Sequence, residues 1–259
     1  MDTSLIGAAA IGLAAGYLSG QFGIGGGIVT TPAIRLLLGR PELIAVGTPL
    51  PVIVPTAIVG AISYARRGLA DVRAGLTIGI VGGALSVPGA WLATRFGGTV
   101  VLLATAALIA WMAVDMALLA MRPEPSEHTR AAGASRVRSG PWLGIVGVAA
   151  GLYSGFLGLG GGFVIVPVLV RYFGFDAKRA VGTSLVALPV LAVPGSITHY
   201  VLGNVDPGLA LALMLGVVPG ALLGAKVTAV ARERTVRVGF AVLLVAVAIM
   251  LGASELGWL

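Results

Sequence analysis

The sequence predicts an all-α integral membrane protein of two inverted repeats, each a re-entrant helical hairpin plus three transmembrane helices. Three observations predict this: an apolar composition, an ungapped internal duplication and a one-sided distribution of basic residues. Of 259 residues, 58% are apolar and 10% charged, and the mean hydropathy is +1.02. A soluble domain carries about a quarter charged residues, so a water-soluble globule is excluded. Forty glycines and fourteen prolines would suggest low complexity, but hydropathy this high excludes disorder. The net charge of +7 fits basic loops flanking membrane spans rather than a nucleic-acid footprint. Cysteine is absent, which removes disulfides, thiolate metal sites and thiol chemistry. The opening Met1-Asp2-Thr3-Ser4 has no basic stretch before the apolar run. That run is therefore expected to stay in the mature protein.

The duplication organises the chain. Gly16-Tyr17-Leu18-Ser19-Gly20-Gln21-Phe22-Gly23-Ile24-Gly25-Gly26-Gly27 recurs as Gly151-Leu152-Tyr153-Ser154-Gly155-Phe156-Leu157-Gly158-Leu159-Gly160-Gly161-Gly162, an offset of 135 residues. The same offset carries Pro32 onto Pro167, and Ala45-Val46-Gly47-Thr48 onto Ala180-Val181-Gly182-Thr183. It also carries Gly60 onto Gly195, Gly68 onto Gly203, Asp71 onto Asp206, and Gly89-Ala90 onto Gly224-Ala225. Two copies of one unit follow: repeat 1 over 1–121 and repeat 2 over 141–259. Between them, 122–140 is rich in Pro, Ser, Glu and Arg and reads as a linker.

Each repeat divides into four apolar segments. In repeat 1 they run 4–38, 43–65, 74–95 and 98–121; in repeat 2, 141–173, 179–201, 208–230 and 237–252. The opening segment is too long for one upright crossing, since about 35 helical residues reach about 50 Å against a hydrocarbon core of about 30 Å. A glycine cluster also interrupts it. It either crosses once, tilted and broken, or enters, turns and leaves on the same side. Charge separates the two. With crossings, the seventeen Lys and Arg divide ten to seven between the faces; with hairpins, Arg35, Arg40 and Arg95 face the other fourteen. The positive-inside bias favours the hairpins. Both termini are then outside and the linker is cytoplasmic. A hairpin plus three crossings is an odd unit, so the second copy is inverted. The two glycine bends enter from opposite faces and are expected to meet near the midplane, where transporters build substrate sites.

The bends suggest anion chemistry. Gly23-Ile24-Gly25-Gly26-Gly27 runs into a helix predicted over 28–38, and Gly160-Gly161-Gly162 repeats the arrangement. The first N–H groups of such helices lack intrahelical partners and carry partial positive charge. Glycine lets a ligand approach that backbone, so Gly25, Gly26, Gly27, Gly160, Gly161 and Gly162 are candidate contacts for a small oxyanion. The competing reading is that these glycines only allow close helix packing.

The second segment is expected to be broken as well, at Gly47-Thr48-Pro49-Leu50-Pro51 with Pro55, and at Gly182-Thr183-Ser184 with Pro189 and Pro194. Thr48, Thr183 and Ser184 are placed either to donate to an oxyanion or to cap their own helices. Ser19, Gln21 and Ser154, beside the bends, are further candidate donors. Three ionisable residues are candidates for gating or coupling. Asp115, inside a span, reads as a proton carrier or, preferably, as an acid near an interface that snorkels or pairs with an arginine. His199, with Tyr200 near the outer end of its span, reads as an interfacial anchor in preference to a proton relay. Arg35 lies about two turns beyond the Gly27 bend, where it draws anions in or snorkels to the surface.

These motifs resemble the TauE/SafE family of sulfite exporters: a duplicated four-segment unit, a G-x-x-S-G-x-x-G-x-G-G-G motif running into a proline-containing helix, and a G-T-S motif opening the next span. Gly151 to Pro167 and Gly182-Thr183-Ser184 keep that pattern, whereas the first copy reads Gly47-Thr48-Pro49 and lacks one hydroxyl. The resemblance covers nearly the whole chain outside the linker. It implies transport of sulfite, sulfoacetate or a related organosulfonate or sulfur oxyanion across the cytoplasmic membrane. An interior-negative potential favours anion exit by about 2.3 kcal/mol per charge per 100 mV, so export needs no coupling ion. A passive anion channel or an uptake permease for another small anion are the alternatives. An intramembrane serine hydrolase built on Ser154 and His199 is the remote one, because the bend and the outer end of another span read as too far apart for a Ser–His contact. The chain is not expected to be an enzyme, and no cofactor, metal or nucleic acid is expected. The oligomeric state stays open, a homo-oligomer included.

Overall fold

The fold is a computed structural model in which the described residues are 3–120 and 141–255; the predicted linker lies outside them. Among the described residues there are eleven helices and no strand. Repeat 1 supplies α1 (Thr3–Phe22), α2 (Gly27–Leu36), α3 (Glu42–Gly47), α4 (Pro49–Ala65), α5 (Val72–Phe96) and α6 (Gly98–Ala120). Repeat 2 supplies α7 (Pro141–Leu157), α8 (Gly162–Phe173), α9 (Ala177–Val201), α10 (Pro207–Val230) and α11 (Glu233–Glu255). Both opening segments are thus divided at their glycines.

The expected break in the second segment appears in one copy only. Thr48 separates α3 from α4 yet keeps helical angles (φ −62°, ψ −33°), because Pro49 simply withholds one N–H from the ladder. In repeat 2, Thr183 and Ser184 have the N–H groups that proline lacks, and α9 runs unbroken past Gly182 with Pro189 and Pro194 inside it. No unwound segment forms there, which corrects the expectation.

Five helical stretches are long and apolar enough to cross a membrane: Glu42–Ala65, Val72–Phe96, Gly98–Asp115, Ala177–Val201 and Pro207–Val230. The expected sixth span, 237–252, falls on α11, whose last residues, 251–255, are described by their backbone alone.

Packing exchanges helices between the repeats. In α1, Gly12, Gly16 and Gly20 face Leu213, Val217 and Ala221 of α10 in step, so the two helices run parallel. Their repeat mates do the same: Gly147, Gly151 and Gly155 of α7 face Ile78, Gly82 and Ser86 of α5. At these glycines a Cβ would collide with the neighbouring backbone. Small residues at every fourth position let the helix backbones approach where lipid gives no hydrophobic drive. Between these pairs, α4 and α9 cross antiparallel, with Gly60 against Leu185 and Gly195 near Leu50. Helices α6 and α11 pack on each other at the periphery.

The antiparallel α4 and α9 deliver the chain to opposite ends of the bundle, where α5 and α10 begin. Each start is capped by an aspartate: Asp71 accepts from the Ala74 N–H and Asp206 from the Leu209 N–H, both at 3.0 Å. Each aspartate also takes an arginine from the other repeat, Arg179 on Asp71 at 2.9 Å and Arg40 on Asp206 at 3.3 Å. Arg40 lies just past α2, and α1 starts alongside the start of α10. Helices α1 and α2 therefore have their free ends at one end of the bundle. Helices α7 and α8 have theirs at the other, beside Asp71.

Candidate functional site

The two bends span 23–26 and 158–161. Helix α1 closes with the Gly23 N–H donating to the Ser19 carbonyl at 2.7 Å. The chain then turns through left-handed backbone at Gly25 and Gly26, the latter at φ 87°; Gly161 repeats this at φ 73°. A side chain at these angles is strained, which is why glycine stands there. The ladder of α2 begins with Val29 and Thr30 donating to Gly26 at 3.0 Å, and that of α8 with Val164 and Ile165 donating to Gly161 at 3.1 Å. The N–H groups of Gly27, Ile28, Gly162 and Phe163 lie ahead of those bonds, at the positive ends of their helices.

The bends touch one another. A Cβ on Gly27 would lie 2.9 Å from the Leu159 backbone and 3.0 Å from the Gly158 carbonyl. One on Gly162 would meet the Gly23 carbonyl and lie 3.0 Å from the Ile24 Cα. Both bends close on Ile53, halfway along the α3–α4 span: Gly25 and Gly160 have no room for a side chain against it, and Gly25 also meets Leu188, the repeat mate of Ile53. The junction is apolar, with Ile24, Ile28, Ile53, Leu159, Phe163 and Leu188 fully buried.

Polar groups at this junction are few. Ser19 and Ser154, which the duplication relates, are fully buried, and their hydroxyls have no hydrogen-bond partner among the described residues; the same holds for Thr31 in α2. Such groups are rare in folded proteins. Ser184 donates to the Gly23 carbonyl at 2.9 Å. Gln21 takes part through its backbone carbonyl, which accepts from Thr228 at 3.1 Å. Thr48 and Thr183 tie the repeats together. Thr48 accepts from the Asp206 N–H at 3.1 Å and Thr183 from the Asp71 N–H at 2.9 Å.

The three ionisable candidates do not converge on the bends. Arg35 pairs with Glu42 at 2.5 Å and donates to the Arg40 carbonyl at the end of the bundle where α10 starts. Asp115 is ion-paired with Arg171 of α8, which favours the arginine-partner reading over a free proton carrier. His199 is no interfacial anchor: it is fully buried, its Nε2 2.8 Å from the Gly155 carbonyl and its Nδ1 3.3 Å from the Asn204 amide. A carbonyl only accepts, so Nε2 carries the proton and Nδ1 accepts from Asn204. Ser154 and His199 are thus nearer than their segments implied, because hairpin 2 penetrates past the middle of the bundle. Yet the imidazole is spent on Gly155 and Asn204, and Ser154 is left unpaired, so no nucleophile–base hydrogen bond exists.

Sequence reasoning missed Thr31, Tyr64 and the Ile53–Leu188 pair. The duplication did offer a signal for two of these, since it aligns Tyr64 with His199 and Ile53 with Leu188.

Apolar helices long enough to span a bilayer, in two intertwined copies that meet at paired helix N-termini, define a polytopic membrane protein of the duplicated transporter class. The chain belongs to the sulfite exporter TauE/SafE family, whose family model matches residues 8–251. It is 29% identical over 250 residues to a Bacillus subtilis protein named "Probable membrane transporter protein YunE", covering 87% of this chain and 89% of that one. A second B. subtilis protein, named "Probable membrane transporter protein YdhB", is 28% identical across 82% of this chain and 86% of its own length. A Haemophilus influenzae protein named "Probable membrane transporter protein" is 26% identical across 92% and 94% respectively. No solved structure matches the chain.

Proposed function

We propose that this chain is a secondary carrier that moves a small sulfur oxyanion, sulfite or an organosulfonate, outward across the cytoplasmic membrane. The binding site is the junction of the two bends: the backbone of Gly25, Gly26, Gly27, Gly160, Gly161 and Gly162, with the hydroxyls of Ser19, Ser154 and Ser184. One observation carries this reading. Two buried, unpartnered serine hydroxyls, one per repeat, stand in the last turns before two helix N-termini that meet halfway along a span. An unsatisfied buried hydroxyl costs about 1–3 kcal/mol, and an oxyanion that accepts from it removes that cost. Helix N-termini then supply positive potential without a buried cation.

In the bilayer, hairpins α1–α2 and α7–α8 enter from opposite faces. The division of basic residues puts the Asp71 end in the cytoplasm. Support comes from the free ends of the two hairpins, which lie at opposite ends of the bundle. The membrane potential drives anion exit, and Asp115 is ion-paired with Arg171. The bends touch, so the anion enters only when one repeat shifts against the other, as alternating access requires.

Sulfite flux in proteoliposomes tests the reading. Ser19→Ala and Ser154→Ala are each expected to raise the half-saturating sulfite concentration about ten-fold. Gly26→Leu combined with Gly161→Leu is expected to abolish flux. Wild-type flux in that double variant, at equal expression, overturns the site assignment. Saturation with counter-exchange marks a carrier, whereas linear conductance replaces the carrier by a channel.

A further inference from the structure

The two bends are not held equally. A helix leaves its last carbonyls without intrahelical donors, and at the end of α1 side chains supply them. The Tyr64 hydroxyl donates to Gly20 at 3.0 Å, Thr228 to Gln21 at 3.1 Å, and Ser184 to Gly23 at 2.9 Å. At the end of α7 the equivalent carbonyls belong to Gly155, Phe156 and Gly158. His199, the repeat mate of Tyr64, donates to Gly155 at 2.8 Å. The mates of Thr228 and Ser184 are Ala93 and Pro49, whose side chains have nothing to donate. Three side-chain bonds therefore hold the first bend, and their repeat equivalents reduce to one at the second. The far end of α8 is tied through Arg171 on Asp115, and the start of α9, which follows it, through Thr183, which accepts from the Asp71 N–H at 2.9 Å.

We infer that the second hairpin, α7–α8, is the moving gate, that His199 is the positioning residue that latches it, and that α1–α2 is the fixed wall. The gate hinges at its anchored end beside Asp71 and swings at the bend. This rests on reading the junction as the transport site, and it adds which half moves and what restrains it. The latch needs one donor to the Gly155 carbonyl. A phenol supplies that donor in the other repeat, so tyrosine is the conservative replacement.

A chain without cysteine permits a test that needs no substrate. Ile24→Cys and Leu159→Cys, repeat mates that are both fully buried, report on the first and second bends through their rate of modification by N-ethylmaleimide in reconstituted full-length protein. In the otherwise unaltered chain the cysteine at position 159 is expected to react faster than that at position 24. Adding His199→Phe is expected to raise the rate at position 159 about five-fold, the effect of losing one hydrogen bond from a local opening equilibrium, with no change at position 24. His199→Tyr restores the slow rate. Tyr64→Phe leaves position 24 protected, since Ser184 and Thr228 still hold that bend. Unchanged labelling at position 159 in His199→Phe, equal acceleration at both bends, or failure of tyrosine to restore protection each overturns the latch. Labelling as expected with no sulfite flux in the parent chain would instead remove the transport reading and leave the gate standing.

Discussion

Glycines of one helix can have opposite meanings. In α7, a Cβ on Gly144 meets nothing within 4 Å, whereas one on Gly155 runs into the Ser86 carbonyl and lies 2.8 Å from the Ala90 nitrogen. Gly144→Ala is therefore expected to stabilise the protein by about 0.5–1 kcal/mol through helix propensity. Gly155→Ala is expected to destabilise it by about 1–3 kcal/mol as α7 is pushed off α5. Thermal unfolding in detergent separates the two, and equal effects would show that α5 and α7 are not in backbone contact. Sequence periodicity marks both positions as glycine in an apolar run, and only the neighbour across the interface distinguishes them. The same limit applies to Ser19 and Ser154. Their place before the bends was legible, but that nothing among the described residues bonds them was not.

At the scale of elements, the starts of α5 and α10 do two jobs with one residue. Asp71 caps its helix through Oδ1 and binds Arg179 through Oδ2. Arg179 is half exposed, so the ion pair adds little, and the cap dominates. Asp71→Ala is expected to cost about 1 kcal/mol, while Asp71→Asn, which keeps the cap oxygen, costs a few tenths. Chemical unfolding of the two variants checks this, and equal losses would shift the weight to the arginine. The duplication exposed Asp71 and Asp206 as mates, and an aspartate ahead of an apolar run is a readable helix start. The role of Thr48 and Thr183 was not readable. Their partners are N–H groups of Asp206 and Asp71, more than a hundred residues away, whereas the residues alone offered only an anion donor or a cap on their own helices. Continuity of α9 was misjudged for a related reason: prolines inside a long span are tolerated when neighbouring helices hold the backbone.

For the whole molecule, the consequence of duplication is exchange: α1 lies on α10 and α7 on α5, so each hairpin is shelved by the other repeat. The proposed inversion of the two repeats makes a direct prediction in a chain without cysteine. Leu202→Cys and Arg67→Cys, repeat mates in the turns at the two ends of the bundle, are expected to react with an impermeant thiol reagent from the outside and from the cytoplasm respectively. Labelling of both from one side would refute the inversion.

Composition, length and the offset of 135 residues were enough to establish a helical membrane protein of two copies, the divided opening segments and the glycine bends. These follow from local physics, because hydropathy measures solvent preference and glycine clusters interrupt helices wherever they fall. Contact between the bends, burial of His199, orphaning of the two serines and unequal restraint of the hairpins were decided by tertiary structure alone. Each depends on which atoms of the other copy come within a few ångströms, and a repeat read along one chain does not say how its two copies embrace.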